Sequence, residues 1–263
     1  MRDAPQRLDA LLVERGLAES RSKAQGLILS GLVRVGDRVV TKAGFRVPPD
    51  EQLSVESKDD FVSRAGAKLD GALEELEVSV EGRTCLDAGA STGGFTDVLL
   101  RRGAKRVLAV DVGYGQLDWS LRNDERVVVM ERTNVRHLTG EVLPFPPDLL
   151  VADLSFISLT VALEMLLSTT PSLQEAVVLV KPQFEAGPEQ VGRGGLVRDT
   201  GVQAAAIRRV ASFFEALGFG AVGVARARVA GRRAGNREYL LHLVRGARSI
   251  SLAKFEGVSS GGG

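Results

Sequence analysis

The feature that most constrains this chain is an apolar strand that breaks into a glycine turn and then a helix. Thr84-Cys85-Leu86-Asp87-Ala88 reads as a buried strand, Gly89-Ala90-Ser91-Thr92-Gly93-Gly94 cannot continue it, and a helix opens at about Phe95. Glycine lets a backbone approach a ligand with no Cβ in the way, and the first N–H groups of a helix have no partner within the helix. The next strand candidate, Arg106 to Val112, contains Asp111, a carboxylate placed where a ribose diol lies in a doubly wound sheet. Strand, turn, helix and acidic strand end together point to a nucleoside-bearing cofactor.

What the turn lacks narrows the choice. There is no G-x-G-x-x-G to clasp a pyrophosphate and no Lys-Ser/Thr pair after the last glycine to hold a nucleotide phosphate. The order D-x-G-x-x-x-G-G, with Asp87 able to pair with an ammonium, suits S-adenosylmethionine, which carries an amino acid instead of phosphates. The turn alone is also compatible with another α/β nucleotide site or with a tight structural bend. The expected cofactor-binding residues are Asp87, Gly89, Ser91, Gly93, Gly94, Phe95, Asp111, Val112 and Asn134. Asn134, just past the third strand, could hydrogen-bond an adenine edge; Tyr114 could stack on one. Trp119, on a helix, reads as core before it reads as an adenine partner.

From residue 84 onward strand and helix signals alternate as in a parallel sheet. Strands are expected at Thr84 to Ala88, Arg106 to Val112, Val127 to Glu131, Asp148 to Asp153 and Ala176 to Lys181. Helices are expected at Phe95 to Arg102, Gln116 to Arg122, Leu159 to Ser168 and Gly201 to Leu217. A last pair of strands, Ala221 to Val229 and Arg237 to Val244, flanks a basic hairpin tip from Ala230 to Asn236. The fold class is therefore α/β, a Rossmann-like sheet, spanning residues 63–247 and followed by a tail, 248–263. The glycine-rich loop from Gly187 to Asp199, with Arg193 and Arg198, reads as a mobile element that could close over a ligand.

The first 57 residues follow a different pattern. Leu8, Leu11, Leu12 and Leu17 lie at helical spacing, Ser20 can cap a second helix carrying Ala24, Leu27 and Ile28, and Gly31 stops it. Short β-rich pieces follow at Leu32 to Val35, Arg38 to Thr41 and Gln52 to Val55. A polar linker, residues 58–62, separates this small α/β module from a helix that starts near Ser63 and packs Leu69, Leu73 and Leu76.

Composition limits the remaining possibilities. A formal charge of +1 means that any nucleic-acid affinity must come from a local patch. The one cysteine, Cys85, cannot form an internal disulfide and sits in an apolar strand. Two histidines, His137 and His242, suggest no metal site and read as structural or surface residues. No apolar run reaches the length of a membrane span, and the N-terminus has no signal-peptide core, so a cytoplasmic protein is expected.

Four ionic residues stand at positions where open α/β sheets bind ligands. Asp153 ends Leu149-Leu150-Val151-Ala152, Lys181 ends Val177-Val178-Leu179-Val180 ahead of Pro182, Glu238 begins the last strand, and Lys68 belongs to the helix before the sheet. Ionised groups after apolar runs are costly to bury unless paired or working. Taken singly, they could be salt bridges or surface charges. As a set they suit transfer of a methyl group to a ribose 2′-hydroxyl, which requires loss of a tightly held proton. A lysine disfavoured in its charged form by desolvation and a neighbouring lysine can accept one.

The N-terminal segment resembles the small RNA-binding domain named after ribosomal protein S four, through Arg7-Leu8-Asp9, Ser20-Arg21-Ser22-Lys23-Ala24, Gly31-Leu32-Val33-Arg34-Val35 and Val39-Val40-Thr41-Lys42. The resemblance makes Arg7, Arg21, Lys23, Arg34 and Lys42 the expected RNA contacts; without it, such charges read first as a solvated face. The four ionic residues are similar to the Lys-Asp-Lys-Glu tetrad of FtsJ-type ribose 2′-O-methyltransferases. Nearly the whole chain resembles the TlyA family, through Ser63-Arg64-Ala65-Gly66-Ala67-Lys68-Leu69, Leu86 to Thr96, Asp111 to Leu117, Val151 to Ser158, Val180 to Glu185 and Asn236-Arg237-Glu238-Tyr239.

That resemblance implies a ribosomal RNA (cytidine-2′-O)-methyltransferase acting on 16S RNA, 23S RNA or both, with S-adenosylmethionine as donor and ribosomal RNA or subunits as its partner. No obligate protein partner and no membrane are expected. It implies Lys181 as base, Asp153 and Glu238 as orienting groups and Lys68 as an assistant. It also links the family to susceptibility to capreomycin and viomycin. One departure stands out: some relatives carry Arg-x-Trp-Val in the linker, where this chain has Asp59-Asp60-Phe61-Val62. Two other classes stay open, a membrane-acting haemolysin, a name also borne in the family, and a noncatalytic ribosome-binding factor. Pseudouridine synthases share the RNA-binding module but need no such cofactor cradle.

Overall fold

The computed structural model describes residues 5–18, 20–36, 38–55, 61–227 and 236–251. The chain divides into two compact units, Met1–Asp60 and Phe61–Gly263. The expected linker therefore ends two residues early: Phe61 and Val62 belong to the larger unit, where the Val62 amide donates to Asp97 at 2.9 Å. Ser57 to Asp60, the hairpin tip up to Gly235 and the tail from Leu252 lie outside the described residues.

The small unit comprises β1 (Gln6–Arg7), α1 (Leu8–Glu14), α2 (Arg21–Leu29), β2 (Val33–Val35), β3 (Arg38–Val39), β4 (Arg46–Val47) and β5 (Leu53–Val55). Ser20 caps α2 by accepting from the Lys23 amide, and Gly31 leaves the helix at a φ of 72°, which favours glycine. Leu8, Leu11, Leu12, Ala24, Ile28, Val33, Val40 and Val47 form its core. The ladder between β1 and β4, only two residues per strand, was not expected from the sequence.

The large unit opens with α3 (Arg64–Glu75), then β6 (Thr84–Ala88), α4 (Gly94–Arg101), β7 (Arg106–Val110), α5 (Trp119–Arg122), β8 (Val127–Met130) and β9 (Leu149–Ala152). It continues through α6 (Leu159–Ala162), α7 (Glu164–Thr169), β10 (Glu175–Val180), α8 (Pro182–Glu185), α9 (Thr200–Ala216), β11 (Phe219–Arg226) and β12 (Tyr239–Arg245). Among the described residues seven strands form one sheet, ordered β11-β12-β10-β9-β6-β7-β8. β12 runs antiparallel between β10 and β11, while β8, β7, β6, β9 and β10 are parallel. The expected Rossmann-like sheet is thus present. The single helix expected over 159–168 is two short ones that meet at Leu163.

This order sets the position of the site. From β6 the chain first winds outward to β7 and β8, then returns to lay β9 against the other side of β6. The ends of β6 and β9 therefore splay apart at a topological switch point, where open sheets bind ligands. The parallel strands are apolar on both faces, as a sheet covered on both sides requires.

Candidate active site

The glycine turn sits at this switch point. Asp87, the residue before the last of β6, is fully buried; its Oδ2 accepts from Thr96 Oγ1 at 2.7 Å, and its Oδ1 has no hydrogen-bond partner. Burial pushes the Asp87 carboxyl up to about 7, an effect that the Thr96 bond opposes and the nearby Asp153 charge reinforces. An orphaned buried acceptor beneath the turn fits a cationic ligand group such as an ammonium. Its complete burial means that the turn must shift for a ligand atom to reach it.

The glycines serve close packing inside the protein. A Cβ at Gly89, whose φ is 87°, would lie 2.6 Å from the Asp153 carbonyl oxygen, so glycine there lets the ends of β6 and β9 meet. A Cβ at Gly94 would lie 2.2 Å from Ser63 Oγ, and one at Gly93 would strike Leu121. Ser91 takes a φ of 49°, and its amide donates to Asp111 Oδ2 at 2.8 Å while the Gly113 amide donates to Oδ1 at 2.7 Å. Asp111 therefore joins the turn to the loop after β7, and only its remaining lone pairs can meet a ribose diol.

Other expected cofactor contacts divide. Val112 is exposed and available to a flat ligand. Asn134 uses its side-chain oxygen to cap a 3-10 turn, accepting from the Arg136 amide at 3.0 Å, which leaves its amide nitrogen to donate. Phe95 is not a side-chain contact: its ring is buried in the core beneath α4, so it can offer only backbone. Trp119 is the reverse, 78% exposed at the first position of a four-residue helix too short to bury it. Tyr114 is exposed, with the Arg132 guanidinium 4.1 Å from its ring centroid.

The four ionic residues form two ion pairs. Lys181 Nζ lies 2.5 Å from Asp153 Oδ1 and donates to Ser155 Oγ at 2.9 Å. The contact with Asp153 is charge to charge, since this oxygen has no aligned hydrogen-bond donor. Lys68 Nζ lies 2.6 Å from Glu238 Oε2, with Lys68, Lys181 and Glu238 all buried. The sheet register explains the convergence. Val178 of β10 faces Ala152 of β9, and Val180 faces Tyr239 of β12. Asp153, Lys181 and Glu238 are thus the residues just outside three adjacent strands, all at the same end of the sheet as Asp87. Pro182, at the first position of α8, ends the strand immediately after Lys181.

Neighbouring residues singled out by no periodicity complete this end. Phe156 is 84% exposed, takes a φ of 67° and lies 5.4 Å from the Phe184 ring, whose centroid is 5.9 Å from Lys181 Nζ. A left-handed aromatic is strained, which marks the position as more than packing. Glu185 is buried and its carboxyl is pushed up by burial; it accepts from Ser158 Oγ at 2.6 Å and the Leu159 amide at 2.8 Å, fixing the loop that carries Phe156.

The loop from Gly187 to Asp199 is anchored near its end, at Gly195 and Val197. Asn236 Oδ1 accepts from the Val197 amide at 2.9 Å, and Asn236 Nδ2 donates to the Gly195 carbonyl at 2.7 Å. Gln203 Nε2 donates to the Val197 carbonyl at 2.8 Å, and Gln203 Oε1 accepts from Tyr239 at 2.6 Å. The loop is therefore linked on both sides of Glu238.

In the small unit, Lys23 and Lys42 are exposed and Arg34 is half-buried. Arg7 and Arg21 both contact the buried Asp9. Cys85 is buried, which pushes its thiol up to about 12 and leaves it inert. His137 is exposed, and His242 Nε2 lies 2.6 Å from Glu175. No group of residues suited to a metal ion occurs among the described residues.

The FtsJ-like methyltransferase model matches residues 61–245, and the S4 domain matches residues 6–53. The 16S/23S rRNA (cytidine-2′-O)-methyltransferase TlyA of Mycobacterium tuberculosis is 52% identical over 239 residues, 90% of this chain and 89% of the relative. The chain belongs to the TlyA family. TlyA relatives do not all carry an enzyme's name: Hemolysin A of Brachyspira hyodysenteriae is 41% identical over 90% of this chain and 99% of its own. A solved structure described as a hemolysin from Streptococcus thermophilus superposes with a TM-score of 0.75 at 36% identity, covering 98% of this chain and 95% of that one. No helix among the described residues is long and apolar enough to cross a membrane.

Proposed function

We propose that this TlyA-family methyltransferase alkylates the ribose 2′-hydroxyl of a cytidine in ribosomal RNA, of the small subunit, the large subunit or both, with Lys181 as general base. The observation that carries the reading is the buried Lys181 amine 2.5 Å from Asp153 at the sheet's switch point. S-adenosylmethionine, when bound, supplies a methyl group made electrophilic by its sulfonium. Asp87 would hold the ammonium of its amino-acid part, Asp111 the ribose and Val112 one face of the adenine. Asp87 and Asp111 are acidic, and neither they nor Val112 form a phosphate cradle.

Lys181 takes the proton of the 2′-hydroxyl as its oxygen is alkylated. Ser155 Oγ accepts one N–H of the amine and Asp153 lies against it, which holds Lys181 in place; its neutral form carries the lone pair that takes the proton. The Lys68–Glu238 pair holds the adjoining strand end and gives the site a second positive group close to the developing oxyanion. Phe156 offers an exposed ring against which a displaced nucleobase can stack. Arg7, Arg21, Lys23, Arg34 and Lys42 supply the phosphate contacts of the S4 domain.

The test is incubation of the purified chain with labelled S-adenosylmethionine and separated ribosomal subunits, followed by mapping of ribose methylation. Methylation of a cytidine ribose, lost in Lys181→Ala with cofactor affinity retained, is the expected result. Base methylation, or undiminished incorporation by Lys181→Ala, overturns the reading.

A further inference from the structure

Asp9 is fully buried in the first turn of α1, yet three side chains from two other elements converge on it. Arg7, from β1, donates through Nε to Oδ1 at 3.0 Å and through Nη2 to Oδ2 at 2.9 Å. Arg21, the first residue of α2, reaches Oδ2 with Nη2 at 3.4 Å, and Gln25, one turn further along, donates to the same oxygen at 2.9 Å. The hydrogen bond from Arg7 holds the Asp9 carboxyl well below the usual carboxylate range, against the opposing effect of burial. Neither arginine is buried with its partner: Arg7 remains 47% and Arg21 58% exposed. The space above Gly44 is part of the same arrangement, since a Cβ there would lie 3.3 Å from Arg7 Nη1.

A buried carboxylate needs several hydrogen bonds, but here two of its partners are guanidinium groups that stay half-exposed and keep N–H groups free of the anion. An arginine side chain loses rotamer entropy when it grips a phosphate, and that loss is smaller if its plane is already fixed. We propose that Asp9 is a positioning residue for RNA binding: it orients Arg7 and Arg21 so that their outward N–H groups present one preformed site for phosphates of the RNA backbone. The inference rests on the proposed role of the S4 domain as an RNA-binding surface.

Charge alone makes the opposite prediction, which gives the test its force. Asp9→Asn removes a negative charge, so a surface acting only as a diffuse positive field binds RNA more tightly. A preformed site binds more weakly. The measurement is binding of the full chain to purified ribosomal subunits over a range of potassium chloride concentrations, for the wild type, Asp9→Asn, Arg7→Ala/Arg21→Ala and the triple variant. Asp9→Asn is expected to lose about tenfold in affinity and to flatten the slope of log affinity against log salt by roughly one. The triple variant should be no weaker than the double one.

Arg7→Lys/Arg21→Lys, which keeps every charge in place but cannot make the paired guanidinium contact with Asp9, should weaken binding in the same direction and keeps the proposal open to refutation if Asp9→Asn does not fold. Affinity for S-adenosylmethionine should not change in any variant. Unchanged or tighter binding by a folded Asp9→Asn, or unchanged binding by Arg7→Lys/Arg21→Lys where Asp9→Asn is unfolded, overturns the proposal. Unchanged binding in Arg7→Ala/Arg21→Ala defeats the reading of this surface as an RNA contact and the proposal with it. That outcome is distinct from loss in the arginine variants but not in Asp9→Asn.

Discussion

The two ends of the central sheet carry two charge clusters, and they are built in opposite ways. At the amino ends of the strands, Arg83 joins Asp148 and Glu175, Thr84 donates to Asp148 from both backbone and hydroxyl, and His242 meets the other oxygen of Glu175. Burial opposes the charged forms there, but hydrogen bonds from His242 and Arg83 hold Glu175 below its ordinary value. At the carboxyl ends, Asp87 leaves one oxygen without a partner and is pushed up instead of down, while Asp153 Oδ1 meets Lys181 by charge alone. A saturated cluster lowers the energy of the fold; an incompletely partnered one keeps capacity for a ligand. The proposed chemistry uses the second.

Breaking the saturated end should give the largest loss of stability. Arg83→Ala leaves Asp148 and Glu175 without their shared cation, with only Glu175 still held by His242, and should destabilise the large unit by about 2–4 kcal/mol. Denaturant unfolding measures this, and methyl transfer per folded molecule should not change.

Asp87 should show the contrary behaviour. Its folded-state value, about 7, is above the ordinary 3.8, so the native protein holds an extra proton between those limits. Stability is then greatest below about pH 4 for this group and falls as pH rises toward 7. Asp87→Asn should remove that fall and stabilise the protein at pH 8 by roughly 2–3 kcal/mol, while weakening S-adenosylmethionine binding. In the wild type, affinity for the cofactor should increase as pH rises through about 7, because the ionised carboxylate is the form that accepts an ammonium. Calorimetry at several pH values reads both effects.

Phe156 provides a smaller contrast of the same kind. Phe156→Gly relieves a left-handed φ of 67° and should gain about 1 kcal/mol of stability. It should lose about 1–2 kcal/mol of RNA affinity if the ring stacks on a base. Smallest is Asn236→Ala, which frees the loop from Gly187 to Asp199 at a cost of about 1 kcal/mol and should increase proteolysis there.

The framework of this end of the sheet was legible in the sequence because it depends on local signals. Apolar runs of four residues ending in Asp153 or Lys181 fix both the strand and the polar residue at its tip, and the alternation of elements fixes which tips are neighbours. What was hidden depends on packing between distant segments. Nothing local says that Phe95 faces the core while Trp119 does not, since α5 ends after four residues. At position 89 a requirement for glycine comes from a carbonyl 64 positions away in the chain, at Asp153. Asp9 reads as an ordinary helix-start acid until Arg7, Arg21 and Gln25 are brought around it. The loop after α8 looks mobile from its glycines, and only Asn236 and Gln203 show why it is held.

Lys181→Arg tests the central claim most directly. Arginine preserves the positive charge beside Asp153 but cannot give up a proton at ordinary pH. Single-turnover methyl transfer to ribosomal RNA should fall by about 10²–10⁴, with cofactor affinity and unfolding midpoint unchanged, if the amine is the base. Transfer by Lys181→Arg at a rate close to that of the wild type would show that only the charge matters and would contradict the account.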